Sequence, residues 1–246
     1  MKLCLFALTG FGNSVLKKAQ ELTCIDEIMV FTRRESGEFP YYESEDLWEQ
    51  CKKENITVFT EEKISEKERL TVIKEFSPDL MIVATYDKKI PAAILAVPKY
   101  KAVNIHPSLL PTYRGPTPTN WALINGELKT GITFHLLSDE YDMGDILYQR
   151  EVPIADLDDG KLRKYLAEVA GEELEKFITD YTASKLTPKR QNRQDGSYFP
   201  KVTSKDGIQL LNFGLFEPDN IIKGLSPYPG VENLRKELQW DTKVTS

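Results

Sequence analysis

The sequence predicts an α/β fold, a mostly parallel sheet with helices on both faces, followed by a short C-terminal extension. Three observations carry that reading. Apolar runs of strand length alternate with amphipathic stretches of helical length from Leu3 to Ile105. The runs Leu3–Leu8 and Leu80–Ala84 are almost continuously apolar, as strands buried on both faces are. A glycine turn, Gly10-Phe11-Gly12-Asn13, follows the first run at the point where a doubly wound fold turns from strand to helix.

In order, Leu3–Leu8 reads as a strand and Ser14–Leu22 as a helix, then Glu27–Thr32 as a strand and Glu43–Glu54 as a helix with Leu47, Trp48 and Cys51 on one stripe. Thr57–Phe59 is a short strand, Glu66–Phe76 a helix closed by Pro78, Leu80–Ala84 a buried strand and Ala102–Ile105 another. This strand–helix alternation is Rossmann-like. Gly131–Leu137 and Ile146–Ile154 flank a loop as an antiparallel pair, and a long helix follows over roughly 159–184. Past Leu186 the composition turns polar and basic, which divides the chain into a domain over 1–186 and an extension over 187–246. About 60 residues make a poor independent core, so the extension is expected to pack on the parent domain or on a second copy, with Ile208-Gln209-Leu210 as an added strand.

A length of 246 residues suits one large α/β domain with a small appendage. Lys+Arg 32 against Asp+Glu 38 leaves a net charge of −6, which argues against general nucleic-acid binding. No apolar run approaches the ~20 residues that span a bilayer, and the six-residue apolar stretch after Lys2 is too short for a secretion signal. Cys4, Cys24 and Cys51 are odd in number and lack C-x-x-C spacing, so they read as reduced thiols of a cytoplasmic protein. With only two histidines, His106 and His135, no multi-histidine metal site is expected, and activity should survive chelation.

Gly10, Gly12 and Asn13 form either a phosphate cradle at a helix N-terminus or a tight turn without ligand; Val15 stands where the dinucleotide fingerprint has its third glycine. Asn104 and His106 close a strand and lead into His-Pro-Ser-Leu-Leu-Pro. Period 2 puts both side chains on one face, about 6–7 Å apart. At the carboxyl edge of a parallel sheet, an amide donor beside an imidazole can stabilise an oxyanion and move a proton. The loop Asp139-Glu140-Tyr141-Asp142-Met143-Gly144-Asp145 lacks the EF-hand ligand pattern, and its best chemical use is one carboxylate that orients the histidine.

The run Asn-Ile-His-Pro-Ser-Leu-Leu-Pro (104–111), with Arg114-Gly115, Pro118, Trp121-Ala122, Gly126, Gly131-Ile132-Thr133 and Asp142-x-Gly144-Asp145-Ile146, resembles the folate-dependent formyltransferases over residues 1–185. Ser226-Pro227-Tyr228-Pro229-Gly230 resembles a C-terminal motif of some members. The resemblance implies a catalytic set of Asn104, His106 and Asp142, N10-formyltetrahydrofolate as co-substrate, and no metal. Asn104 would hold the formyl oxygen, His106 would take the amine proton, and Asp142 would orient His106. Folate contacts are expected from Thr85, Tyr86, Asp87 and Ile90 after the fourth strand and from Ser138 and Asp139.

Among the family's acceptors, a nucleotide-linked amino dideoxy sugar fits best, such as dTDP-4-amino-4,6-dideoxyglucose or a 3-amino isomer destined for a bacterial surface glycan (O-antigen or lipopolysaccharide). The tail is too short for the C-terminal barrel of the tRNA enzymes and longer than the glycinamide ribonucleotide enzymes need. Phe31-Thr32-Arg33-Arg34 and Phe39-Pro40-Tyr41-Tyr42 resemble an early segment of some sugar enzymes. Expected acceptor contacts are Gly10, Gly12, Asn13, Arg33, Ser108, Arg114, Tyr198 and Phe199, with Tyr198 and Phe199 either facing a nucleotide base or anchoring the tail. The alternatives are a glycinamide ribonucleotide or methionyl-tRNA acceptor, or a non-catalytic protein of the same fold. The partners expected are therefore the nucleotide sugar and folate, without nucleic acid or membrane. Apolar residues in the tail predict a twofold homodimer.

Overall fold

A computed structural model describes residues 1–34, 45–60, 63–154, 156–227 and 230. The segment 39–42 and residues 228–229 of the C-terminal motif lie outside the described residues. The strands β1 (Lys2–Ala7), β2 (Glu27–Thr32), β3 (Thr57–Thr60), β4 (Leu80–Ala84), β5 (Ala102–His106), β6 (Lys129–Leu136) and β7 (Ile146–Pro153) form a single sheet in the order β3-β2-β1-β4-β5-β6-β7. The first five run parallel, and β6 and β7 are antiparallel additions.

Strand alternation divides the core in two. Leu3, Leu5 and Ala7 of β1 face a layer holding α1 (Phe11–Glu21), α2 (Leu47–Lys53) and α6 (Asp159–Thr182). Cys4 and Phe6 face the other layer, with Ile73 of α3 (Glu66–Phe76) and Ile94 of α4 (Ala92–Leu95). Side chains of successive strand residues point to opposite faces, so a strand buried on both must be apolar throughout. Local signals set the helix starts. Asp46 caps α2 by accepting from Trp48 N and Glu49 N, Ser65 and Glu68 form a reciprocal capping box at α3, and Asp158 accepts from Lys161 N at α6. Among the described residues the second helix begins at Leu47, Glu43 and Ser44 of the expected span lying outside them, and α1 begins at Phe11 rather than Ser14.

The extension departs from expectation. Ile208-Gln209-Leu210 lies within a helix, α7 (Ser204–Phe213), followed by α8 (Pro218–Leu225). A Thr203–Asp206 capping box starts α7, and Gly214 ends it at φ 61°, so local capping overrides a three-residue alternation. Val202, Ile221 and Leu225 close a third cluster with Trp121 and Ile124 of α5 (Pro118–Ile124). The extension thus packs on the parent domain. No helix among the described residues is long and apolar enough to cross a membrane.

Candidate active site

The carboxyl ends of β4 and β5 lie side by side, with Val83 opposite Asn104 and Ala84 opposite Ile105. Chain reversal at β6 sets His135 opposite Asn104 and Thr133 opposite His106. A register shift at Phe134/His135 against β7 marks a bulge beside this cluster. Asn104, His106 and His135 therefore share one face of one sheet edge.

His106 is buried, and its Nε2 donates to the carbonyl of Tyr113 at 2.9 Å. A carbonyl only accepts, so Nε2 carries the proton and Nδ1 is the basic nitrogen. That nitrogen stands 3.5 Å from Asp142 Oδ1. Asp142 reaches it from the loop after β6, with φ 55°, and its Oδ2 accepts the Gly115 N–H at 2.9 Å. A proton taken by Nδ1 would thus face a carboxylate already held in place.

His135 is fixed by the same logic. Its Nδ1 donates to the Leu136 carbonyl at 2.9 Å, leaving Nε2 as an acceptor 3.0 Å from Asn104 Nδ2. Burial, then the neighbouring His106, pulls its pKa from 6.5 to about 4, so the ring is neutral at pH 7. Asn104 must therefore point its NH₂ toward His135, and its second N–H is available to an oxyanion. Burial pushes the Cys4 thiol far up and Cys51 to about 12, which makes neither a ready nucleophile. Among the described residues no three His, Cys, Asp or Glu side chains cluster as a metal site.

The other expected contacts fall into two groups. Thr85, at φ 55°, turns the chain after β4, and its hydroxyl bonds the Ala84 carbonyl. Tyr86 packs edge-on against Phe6, Ile90 is buried, and Asp87 pairs with Arg33. Ser138 and Asp139 are exposed and line a cleft of about 860 Å³ between the acidic loop and residues 190–194.

Several expected acceptor contacts have internal partners. Ser108 is fully buried and donates to the Thr112 and Tyr113 carbonyls. Arg114 is buried against Met143 Sδ and the Arg193 and Ser197 carbonyls. Asn13 accepts from Gly10 N and donates to Glu45 and Gln50, so the Gly10 N–H is spent within the turn. A Cβ on Gly12 would stand 2.5 Å from Leu47 Cδ2, so close packing of α1 on α2 is a sufficient reason for that glycine. Phe199 stacks between Tyr113 and Trp121 and anchors the tail, whereas Tyr198 is 63% exposed. Sequence reasoning missed Gln191, whose Nε2 donates to the Asp142 carbonyl at 2.9 Å and the Gly144 carbonyl at 2.7 Å. It lies in a polar segment without periodicity, where nothing in the sequence singles it out.

Fold and site together define an α/β protein with an amide donor, a base and a carboxylate gathered at the carboxyl edge of its sheet. The chain belongs to the formyl transferase family, whose model matches residues 15–178. It is 39% identical over 164 residues to methionyl-tRNA formyltransferase of Caldanaerobacter subterraneus subsp. tengcongensis, covering 66% of this chain and 53% of that protein. With the Clostridium acetobutylicum methionyl-tRNA formyltransferase it shares 30% over 231 residues, 93% of this chain and 74% of that one. The chain spans about half the length of the first of these curated relatives. A crystal structure of the Helicobacter canadensis N-formyltransferase, in complex with folinic acid and dTDP-3-aminofucose, matches with a TM-score of 0.63 at 21% identity. That match covers 91% of this chain and 80% of the other.

Proposed function

We propose that this protein transfers the formyl group of N10-formyltetrahydrofolate to the amine of a nucleotide-linked amino dideoxy sugar, with Asn104, His106 and Asp142 as the catalytic set. The observation that carries formyl transfer is the His106–Asp142–Asn104 cluster within a chain of the formyl transferase family. The co-substrate supplies an electrophilic formyl carbon. As the acceptor amine adds to it, the free N–H of Asn104 meets the developing oxyanion, and His106 Nδ1 takes the amine proton. Asp142 Oδ1 then balances the imidazolium; as the oxyanion collapses, the bond from the formyl carbon to the folate N10 breaks, and that nitrogen leaves with the proton returned from His106. Loops 85–90 and 138–142 flank this edge and are the proposed folate contacts, in the cytoplasm.

For the acceptor, the net charge of −6 argues against a large polyanion, and Tyr198, exposed on the tail, would offer its ring to a nucleotide base. A methionyl-tRNA acceptor is the second reading, favoured by the names of the curated relatives. Tetrahydrofolate release, followed with a panel of dTDP-amino sugars, methionyl-tRNA and glycinamide ribonucleotide, separates them. Turnover on a dTDP-amino sugar is expected. Turnover on methionyl-tRNA alone would replace the acceptor, and turnover on none would reject formyl transfer.

A further inference from the structure

Two loops build the site, one carrying Tyr113 and Gly115 and the other Asp142, and they are laced together by a segment outside the expected catalytic domain. Lys189 pairs with Ile146 through two backbone hydrogen bonds of 2.8 Å, which starts the segment along the end of β7. Gln191 then inserts its side chain beneath the acidic loop and donates to both the Asp142 and Gly144 carbonyls. Farther on, Tyr113 N donates to Ser197 Oγ at 2.9 Å, and Phe199 N donates to the Arg114 carbonyl at 2.9 Å. Gly196 passes so close that a Cβ there would stand 2.0 Å from the Pro111 carbonyl. The segment therefore touches the backbone that presents each half of the His106–Asp142 pair, since the Tyr113 carbonyl holds His106 Nε2.

We propose that residues 189–199 are a strap that keeps the two loops in register, and that Gln191 is the positioning residue for Asp142. Asp142 sits in the left-handed region, which costs a non-glycine residue energy and needs outside support. Its carboxylate has one backbone anchor, Gly115 N, and its carbonyl is held by Gln191. Without the two N–H donors of Gln191, the Asp142 and Gly144 carbonyls lose partners, and the backbone is free to rotate Oδ1 away from His106. Simple packing does not explain the residue. Gln191 is buried with its Oε1 lacking a hydrogen-bond partner, a cost that an apolar side chain of the same size would avoid. Its amide orientation is dictated by the two carbonyls it holds.

The kinetic readout rests on the formyl-transfer reading, and the spectroscopic one does not. Gln191→Met keeps the length and volume and removes both donors. A displacement of about 1 Å at Asp142 should lower kcat on the order of 10–100-fold, with KM for both substrates within about threefold. Side-chain histidine NMR reads the positioning directly, because the full-length chain has only two imidazoles. The His106 signals should move in Gln191→Met and stay in place in Ile221→Ala, a packing change at the α5–α8 contact. Moved signals from a protein that formylates no acceptor would uphold the strap and reject the functional reading. Unmoved His106 signals in folded Gln191→Met would overturn the strap. Should that variant not fold, Ser197→Ala carries the same test: the backbone bonds of the strap remain, the Tyr113 N–H loses its acceptor, and an unmoved His106 Nε2 signal would again overturn the proposal.

Discussion

Three of the four ring nitrogens of the two histidines have an assigned direction of hydrogen bonding, which leaves His106 Nδ1 as the base and sets what a substitution must do. His106→Asn removes the base and Asn104→Ala the oxyanion donor. Either should reduce kcat on the order of 10²–10⁴-fold with the fold intact by circular dichroism, and near wild-type turnover would refute the assignment. His135 has a different signature, because it serves Asn104 as a neutral acceptor. Unfolded, its imidazole binds a proton below about pH 6.5; folded, it does so only below about 4. The unfolded chain therefore holds more protons in that window, and stability present at pH 7 is lost as the pH falls through it. The loss should be on the order of 2–3 kcal/mol. Denaturant melts at about pH 7 and about pH 4.5 check this, since His135→Asn should lose less stability than wild type on acidification. Equal losses would show that the buried ring is not the cause.

Elements differ in how openly the sequence declares them. The strands are legible to within a few residues because a doubly buried strand has no polar position to disguise it; Leu80–Ala84 is a clear case. The helix α5 is hidden because all seven of its residues are buried, leaving no amphipathic stripe to read. Ile208 to Leu210 invites a strand by alternation, while the decisive signals, Thr203 with Asp206 and then Gly214, lie outside that window. In the site, Asn104 and His106 follow from period 2 alone. Asp142 needs the family resemblance, because four carboxylates share its loop. Gln191 acts through backbone carbonyls 47 and 49 residues away, a contact no local pattern encodes. The acidic loop also makes a prediction of its own. A Cβ on Gly144 would stand 1.6 Å from the Leu136 carbonyl, so Gly144→Ala must displace the turn that carries Asp142. It should cost about 1–3 kcal/mol by denaturant melt and lower turnover at least tenfold. Gly214→Ala is the contrast: it has open space and only a left-handed φ, so it should cost about 1 kcal/mol and leave turnover unchanged. Equal turnover in the two variants would sink the argument.

At the scale of the whole molecule, the extension divides its apolar surface between two uses. Ile221 and Leu225 are fully buried against the α5 region, which removes part of the reason to expect a partner. Leu210, Leu211, Phe216 and Ile222 are only partly buried, and Leu215 is 73% exposed. This remainder is the surface that the expected twofold homodimer would bury, with α7 and α8 of one copy meeting their symmetry mates. Ending the chain after Leu186 would act twice. It would strip the cover from Trp121 and Ile124 and remove both Gln191 and Ser197 from the loops that hold Asp142 and Tyr113. The truncated protein should aggregate or run as an inactive monomer, whereas Leu215→Lys in the full chain should weaken the dimer and keep the active-site loops intact. Size-exclusion chromatography with light scattering distinguishes these outcomes. A full-length chain that elutes as a 28.1 kDa monomer at micromolar concentration refutes the dimer, and a soluble, active 1–186 fragment would show that the extension supports neither the core nor the site.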